Sequence, residues 1–297
     1  MRVQARAPFA GALLLLAGPA LGCAPAPPTG ELVLVATIAP LALVAGELGA
    51  GRVRVETLVP AGATPHAFEP RPSDAARLAE AGALLRVGAG LDDWTDSLLA
   101  AAPGARVLTL AEIPGLLEED PDSPDAPDPH VWLDPLRVRD FVAPALVALL
   151  VALDPAGAPR YTEQLADFQQ RLDALDRELR GWLEAGARPR YVALHPGWRY
   201  FAARYGLEEI GTVQTLALEE PTPRSLAALL DAARRERPEV LIVEPQLDPR
   251  ITELLAEALG TTALRLDPLG DPRNPTRGSY TALIRAAAQG LADVGTP

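Results

Sequence analysis

The chain has 297 residues, 48% of them apolar and 22% charged, a composition that fits a soluble globular protein large enough for two lobes. Its formal net charge of -12 argues against a nucleic-acid partner, because phosphate binding needs a basic surface; an acidic surface instead raises the local concentration of cations. Cys23 is the only cysteine, which excludes an internal disulfide and a thiolate metal cluster.

The N-terminus predicts export. Arg2 and Arg6 precede an apolar run from Phe9 to Gly22, too short to span a bilayer as a mature helix but suited to a signal peptide over residues 1–22. A lone cysteine directly after such a run resembles the lipobox of bacterial lipoproteins, in which the thiol is lipidated after cleavage. Cys23 is therefore the expected lipid anchor, and residues 23–30, rich in proline, the tether. Ala20 stands where that motif usually has leucine; simple cleavage after Gly22, leaving a free thiol, is the alternative.

From Glu31 onward, β-rich runs alternate with helical patterns. Leu32 to Thr37, Val53 to Val59, Ala83 to Val87 and Arg106 to Leu110 have strand character. Pro40 to Leu48, Arg71 to Ala81 and Asp92 to Ala102 have helical character. A second series begins at Arg190, with strands at Tyr191 to Leu194, Glu209 to Val213, Val240 to Val243 and Ala263 to Leu266. Its helices are Trp198 to Tyr205, Thr222 to Arg237, Ile251 to Leu259 and a terminal one from Ser279. This rhythm predicts an α/β fold of two lobes, 31–158 and 188–297, each with a mostly parallel sheet flanked by helices.

Between the lobes, Tyr161, Leu165, Phe168, Leu172, Leu175, Leu179 and Trp182 recur at alternating spacings of four and three. They form one apolar stripe on a helix of roughly 25 residues, about 38 Å long, within the linking segment 159–187. A helix of that length can brace both lobes. A coiled-coil dimer seam would show more than about three heptads and matched flanking charges, so a monomer is expected. Upstream, Pro114 to Pro129 holds six acidic residues and five prolines; it predicts a solvated loop without a core or calcium-loop spacing.

The chain has only three histidines, and each abuts a proline: TPHAFEP (His66), DPHVWLDP (His130) and ALHPGWRYF (His195). His195 follows one predicted strand directly and His66 follows another closely. In open α/β sheets ligands bind beyond the carboxyl ends of strands, so these side chains are expected to meet in a cleft between the lobes. With cysteine unavailable, imidazole is the main high-affinity ligand for zinc and its neighbours. Flanking prolines fix φ and reduce the entropy lost when a ligand is positioned. A carboxylate is the natural fourth ligand. Asp267 and Glu244 each end a predicted strand, and the pattern alone does not rank them.

These motifs resemble, in order and over nearly the whole mature chain, the zinc- and manganese-binding proteins of bacterial ABC importers of the ZnuA and TroA type. TPHAFEP, DPHVWLDP and HPGWRYFAARYG are similar to the three metal-histidine motifs, and LDPLG supplies the family's aspartate as Asp267. GAGLDDW, EPTPRSL and GSYTALI also fit. The resemblance implies His66, His130, His195 and Asp267 as metal ligands, an ABC permease as partner, and a backbone helix that limits lobe motion. Glu244, in VEPQ, matches a common family glutamate that is not a usual ligand. Manganese-type members tend to carry glutamate where His195 stands, so zinc is the expected metal and manganese the alternative. The acidic loop lacks the histidines found there in many zinc-type members.

Capture and delivery therefore lead over two alternatives: a metal-binding surface adhesin without a transporter, and a zinc hydrolase. The sequence has no HExxH helix, GxSxG elbow or P-loop, so no enzyme is expected.

Overall fold

The computed structural model describes residues 32–120, 123–185, 189–213, 222–245, 249–271 and 278–294. The expected signal peptide, tether and Cys23 lie outside these. Among the described residues, no helix is long and apolar enough to cross a membrane.

The N-terminal lobe runs β1 (Leu32–Ala36), α1 (Ala39–Leu48), β2 (Val53–Thr57), α2 (Pro72–Glu80), β3 (Ala83–Arg86), α3 (Thr95–Ala101) and β4 (Arg106–Thr109). Its four strands are parallel in the order β2-β1-β3-β4, with Leu34 of β1 opposite Val55 on one side and Ala83 on the other. A short antiparallel hairpin follows, β5 (Glu119–Asp120) and β6 (Ser123–Pro127), then α4 (Pro135–Arg137) and α5 (Ala143–Leu153) joined by a π-helical turn. After the long α6 (Ala158–Ala185) come β7 (Arg190–Ala193), α7 (Arg199–Tyr205), β8 (Glu208–Thr212), α8 (Pro223–Glu236), β9 (Val240–Val243), α9 (Pro249–Leu259), β10 (Thr262–Arg265) and α10 (Tyr280–Val294). These strands form a second parallel sheet in the order β10-β9-β7-β8.

The predicted α/β architecture of two parallel sheets and a connecting helix is thus the observed one. The apolar stripe of α6 is buried at Tyr161, Phe168, Leu172, Leu175 and Leu179. At its end the buried residue is Leu183, one position beyond the expected Trp182, which is half-buried; Leu183 continues the spacing of four from Leu179.

One buried cluster runs from β1 and β3 through α5 and α6 into β7, β9 and α10, so the lobes share a single continuous core. Smaller clusters cover the outer face of each sheet. α10 packs along α6 and also meets α1 of the other lobe.

Two features differ from expectation. The segment Pro114–Pro129, expected as a loose solvated loop, buries Leu116 and carries the β5–β6 hairpin, whose base is tied down. The backbone N–H of Glu118 donates to the Tyr200 hydroxyl (2.7 Å), which donates to the carbonyl of Asp128 (3.1 Å), while Arg199 pairs with Asp120 (2.6 Å). Arg137 also pairs with Glu118. Two of its acidic residues, Glu118 and Asp120, thus pair with arginines from other elements, which composition alone does not reveal. The second feature is α5, whose sequence APALVALLVAL carries no polar stripe: α1, α6 and β4 pack against it, and its exposed positions are alanines, Ala148 and Ala152. A uniformly apolar segment gives no helical period.

Candidate metal centre

His66 lies in a single 3-10 turn, Pro65–Ala67, beyond the end of β2. Pro65 begins the turn, and its carbonyl accepts a hydrogen bond from the Trp94 indole N–H (2.9 Å) while Phe68 packs on the Trp94 ring. The GAGLDDW segment therefore holds the first histidine in place. The segment is itself fixed by buried Asp92, which accepts from the Thr37 hydroxyl and from the backbone N–H groups of Val87 and Gly88, joining the ends of β1 and β3.

His130 is not delivered by a strand of either main sheet. It precedes the turn Val131–Leu133, between the hairpin and α4. Asp134 caps α4, accepting from the backbone N–H of Leu136 and Arg137, and receives two hydrogen bonds from Arg204 of α7 (2.9 and 2.7 Å). Trp132 is fully buried; its indole N–H donates to the Pro268 carbonyl (2.8 Å), and its own carbonyl accepts from the Tyr280 hydroxyl (2.7 Å). His195 follows β7 by two residues.

The three rings converge. Centroid separations are 5.5 Å for His66–His130, 5.2 Å for His66–His195 and 4.7 Å for His130–His195. One ligand atom from each lies within 4.8 Å of the others. Nε2 of His66 and Nε2 of His130 are 3.4 Å apart. At a zinc–nitrogen distance of about 2.0–2.1 Å, tetrahedral ligands stand roughly 3.3 Å from one another, so that pair already has the spacing a bound ion needs. Nε2 of His195 is buried without a hydrogen-bond partner, as expected of a lone pair reserved for a cation.

Carboxylates set the far side of two rings. Asp128 Oδ1 is 2.7 Å from His130 Nδ1 and accepts from the His130 backbone N–H (2.9 Å). Burial would push the Asp128 carboxyl up, but the hydrogen bonds and charge of His130, with Arg199 behind, hold it below the usual carboxylate range. An ionised Asp128 accepting from Nδ1–H leaves Nε2 of His130 as the ring atom able to ligate. Glu244, directly after β9, places Oε1 3.3 Å from Nδ1 of His195. Neither carboxylate belongs to the cluster of ligand atoms. Asp128 was legible only as part of the DPH motif; an acidic residue two positions before a histidine is its sole sequence signal.

Asp267 is also outside the group of mutually close ligand atoms. It lies two residues beyond β10, and its Oδ1 accepts from the backbone N–H of Leu269 (3.1 Å) and Gly270 (3.0 Å). The Trp132–Pro268 bond brings this loop against the His130 segment.

Burial, and then the neighbouring His130 and His195, push the His66 imidazole down to about 2. An unfolded chain takes up that proton near pH 6.5, whereas the folded chain keeps His66 neutral. Between those values the unfolded state binds more protons, so the contribution is present above about 6.5 and is lost as pH falls. Metal-free protein should therefore melt at a lower temperature at pH 5 than at pH 7.5, and thermal melts of His66→Gln should show a shallower dependence. Equal slopes would refute this role for His66.

Three convergent imidazoles at the meeting of two α/β lobes define a protein that binds a transition-metal ion. The sequence matches the family described as "Zinc-uptake complex component A periplasmic" over residues 34–294, and the chain belongs to that family. It is similar to the high-affinity zinc uptake system protein ZnuA of Paracoccus denitrificans, 28% identical with 94% of this chain and 97% of the relative covered. A putative metal-binding protein of Thermotoga maritima is 30% identical, covering 80% and 84%. Among solved structures, a zinc-bound ZnuA deletion mutant superposes with a TM-score of 0.80 at 28% identity, covering 90% of this chain and 99% of that one.

Proposed function

We propose that this protein captures one zinc ion outside the cytoplasm with His66, His130, His195 and Asp267, and delivers it to the permease of an ABC importer. The observation that carries this reading is the convergence of three imidazoles, with Nε2 of His195 buried and unpartnered. Three imidazoles suit a borderline ion, which favours zinc over manganese. Asp267 as fourth ligand is supported by its place beyond β10 and by the Trp132–Pro268 bond that ties its loop to His130. Four protein ligands leave no open position for water, which suits carriage rather than hydrolysis.

On the same reading, residues 1–22 are the signal peptide and 23–30 the tether from a lipidated Cys23. Residues 31–158 and 188–297 are the lobes of a monomer, and 159–187 the link. Calorimetric titration of the mature protein should give one zinc per chain, and Asp267→Ala should bind more weakly. The absence of any zinc heat would remove the proposal.

A further inference from the structure

Glu244 has no role in the ligand set, yet its surroundings are those of a functional group. Its side chain and that of His195 are only 11% and 9% exposed, and Oε1 lies 3.3 Å from Nδ1. Nε2, at the opposite edge of the same ring, is the buried atom without a partner. A neutral imidazole carries one proton, and the nitrogen that holds it cannot bind a metal. With Nδ1 facing a carboxylate that only accepts, the proton is held at Nδ1 and the lone pair is left at Nε2.

The backbone makes room for this pair. A Cβ at Gly197 would stand 2.9 Å from Nδ1 of His195 and 3.4 Å from Oε1 of Glu244. Gly197 has no left-handed φ, so the close approach of the two side chains is what the missing Cβ accommodates.

We propose that Glu244 is a positioning residue: by accepting from Nδ1–H of His195 it fixes the ring tautomer and direction that present Nε2 to the metal, and Gly197 keeps the space that this contact needs. The proposal rests on His195 being a ligand. Its test separates the two, because the tautomer is a property of the metal-free protein. Only three histidines exist, so two-bond proton–nitrogen NMR spectra of ring-labelled protein contain three imidazoles to assign.

Wild type should show His195 protonated at Nδ1. Glu244→Gln keeps an accepting oxygen and should keep both that tautomer and zinc affinity within about 3-fold. Glu244→Leu should release the tautomer and cost about 10- to 100-fold in affinity, the usual effect of losing an outer partner. Gly197→Ala should weaken zinc binding in the same direction. A proton on Nε2 of His195 in wild type, or wild-type affinity in Glu244→Leu, would overturn the proposal. A loss in Glu244→Gln equal to that in Glu244→Leu would overturn it too, by making Glu244 a direct ligand. Failure of wild type to bind zinc, with the Nδ1 tautomer intact, would count instead against the metal-capture reading.

Discussion

His130→Ala should lower zinc affinity by about 100-fold or more, measured by competition with a chelator of known affinity. Loss of an outer partner alone typically costs about 10- to 100-fold, and His130 is itself a ligand candidate. Its Nε2 faces that of His66 at 3.4 Å, and its centroid is 4.7 Å from that of His195, so its removal opens the site on two sides. Asp128→Asn should give a smaller loss, about 10-fold: the amide can still accept from Nδ1–H, but the 2.7 Å contact, closer than the 3.3 Å one between Glu244 and His195, loses more with the charge. Affinity within about 3-fold of wild type in His130→Ala would remove that residue from the site.

Trp132→Ala should have the largest effect on stability. Its side chain is 2% exposed, lies in the core shared by both lobes, and joins the His130 segment to the Pro268 carbonyl. Truncating a buried Trp costs about 3–5 kcal/mol through lost transfer energy and the cavity left behind. The lost indole N–H adds a carbonyl without its partner. For a chain of this size about 4 kcal/mol corresponds to a melting point lower by about 10 °C. Zinc binding should weaken as well, since the same ring packs against His130 at 5.3 Å and holds the loop that carries Asp267. An unchanged melting temperature would contradict the bridging role.

The parts of this design that could be read directly from the chain are those with a period or a rare residue type. Parallel strands such as Val240–Val243 announce themselves as short apolar runs, and the α6 stripe as spacings of three and four. The histidines stood out because there are only three, each beside a proline. The carboxylates did not, because 39 acidic residues hide the few that matter. Asp128 sits only two residues from His130, but Glu244 meets the His195 imidazole across 49 residues of chain, a contact that only the fold creates. The β5–β6 hairpin was hidden for a related reason. Its order comes from Arg137, 19 residues from its partner Glu118, and from Arg199 and Tyr200, which lie 79 and 82 residues from theirs. Helix α5 was hidden by being apolar on every side.

The core that runs unbroken from one sheet to the other also sets which motions are affordable. Swinging the lobes apart as two rigid jaws would expose part of a buried surface that includes Phe168, Leu172, Tyr191 and Tyr280, and each buried side chain of this kind holds about 1.5–3 kcal/mol. Shifting the turn at Pro65–Ala67, held mainly by the Trp94–Pro65 hydrogen bond and the Phe68–Trp94 contact, disturbs far less. Of these two movements, a shift of the Pro65–Ala67 turn therefore costs less than a separation of the lobes, so the frame around the three histidines is the stiffer part.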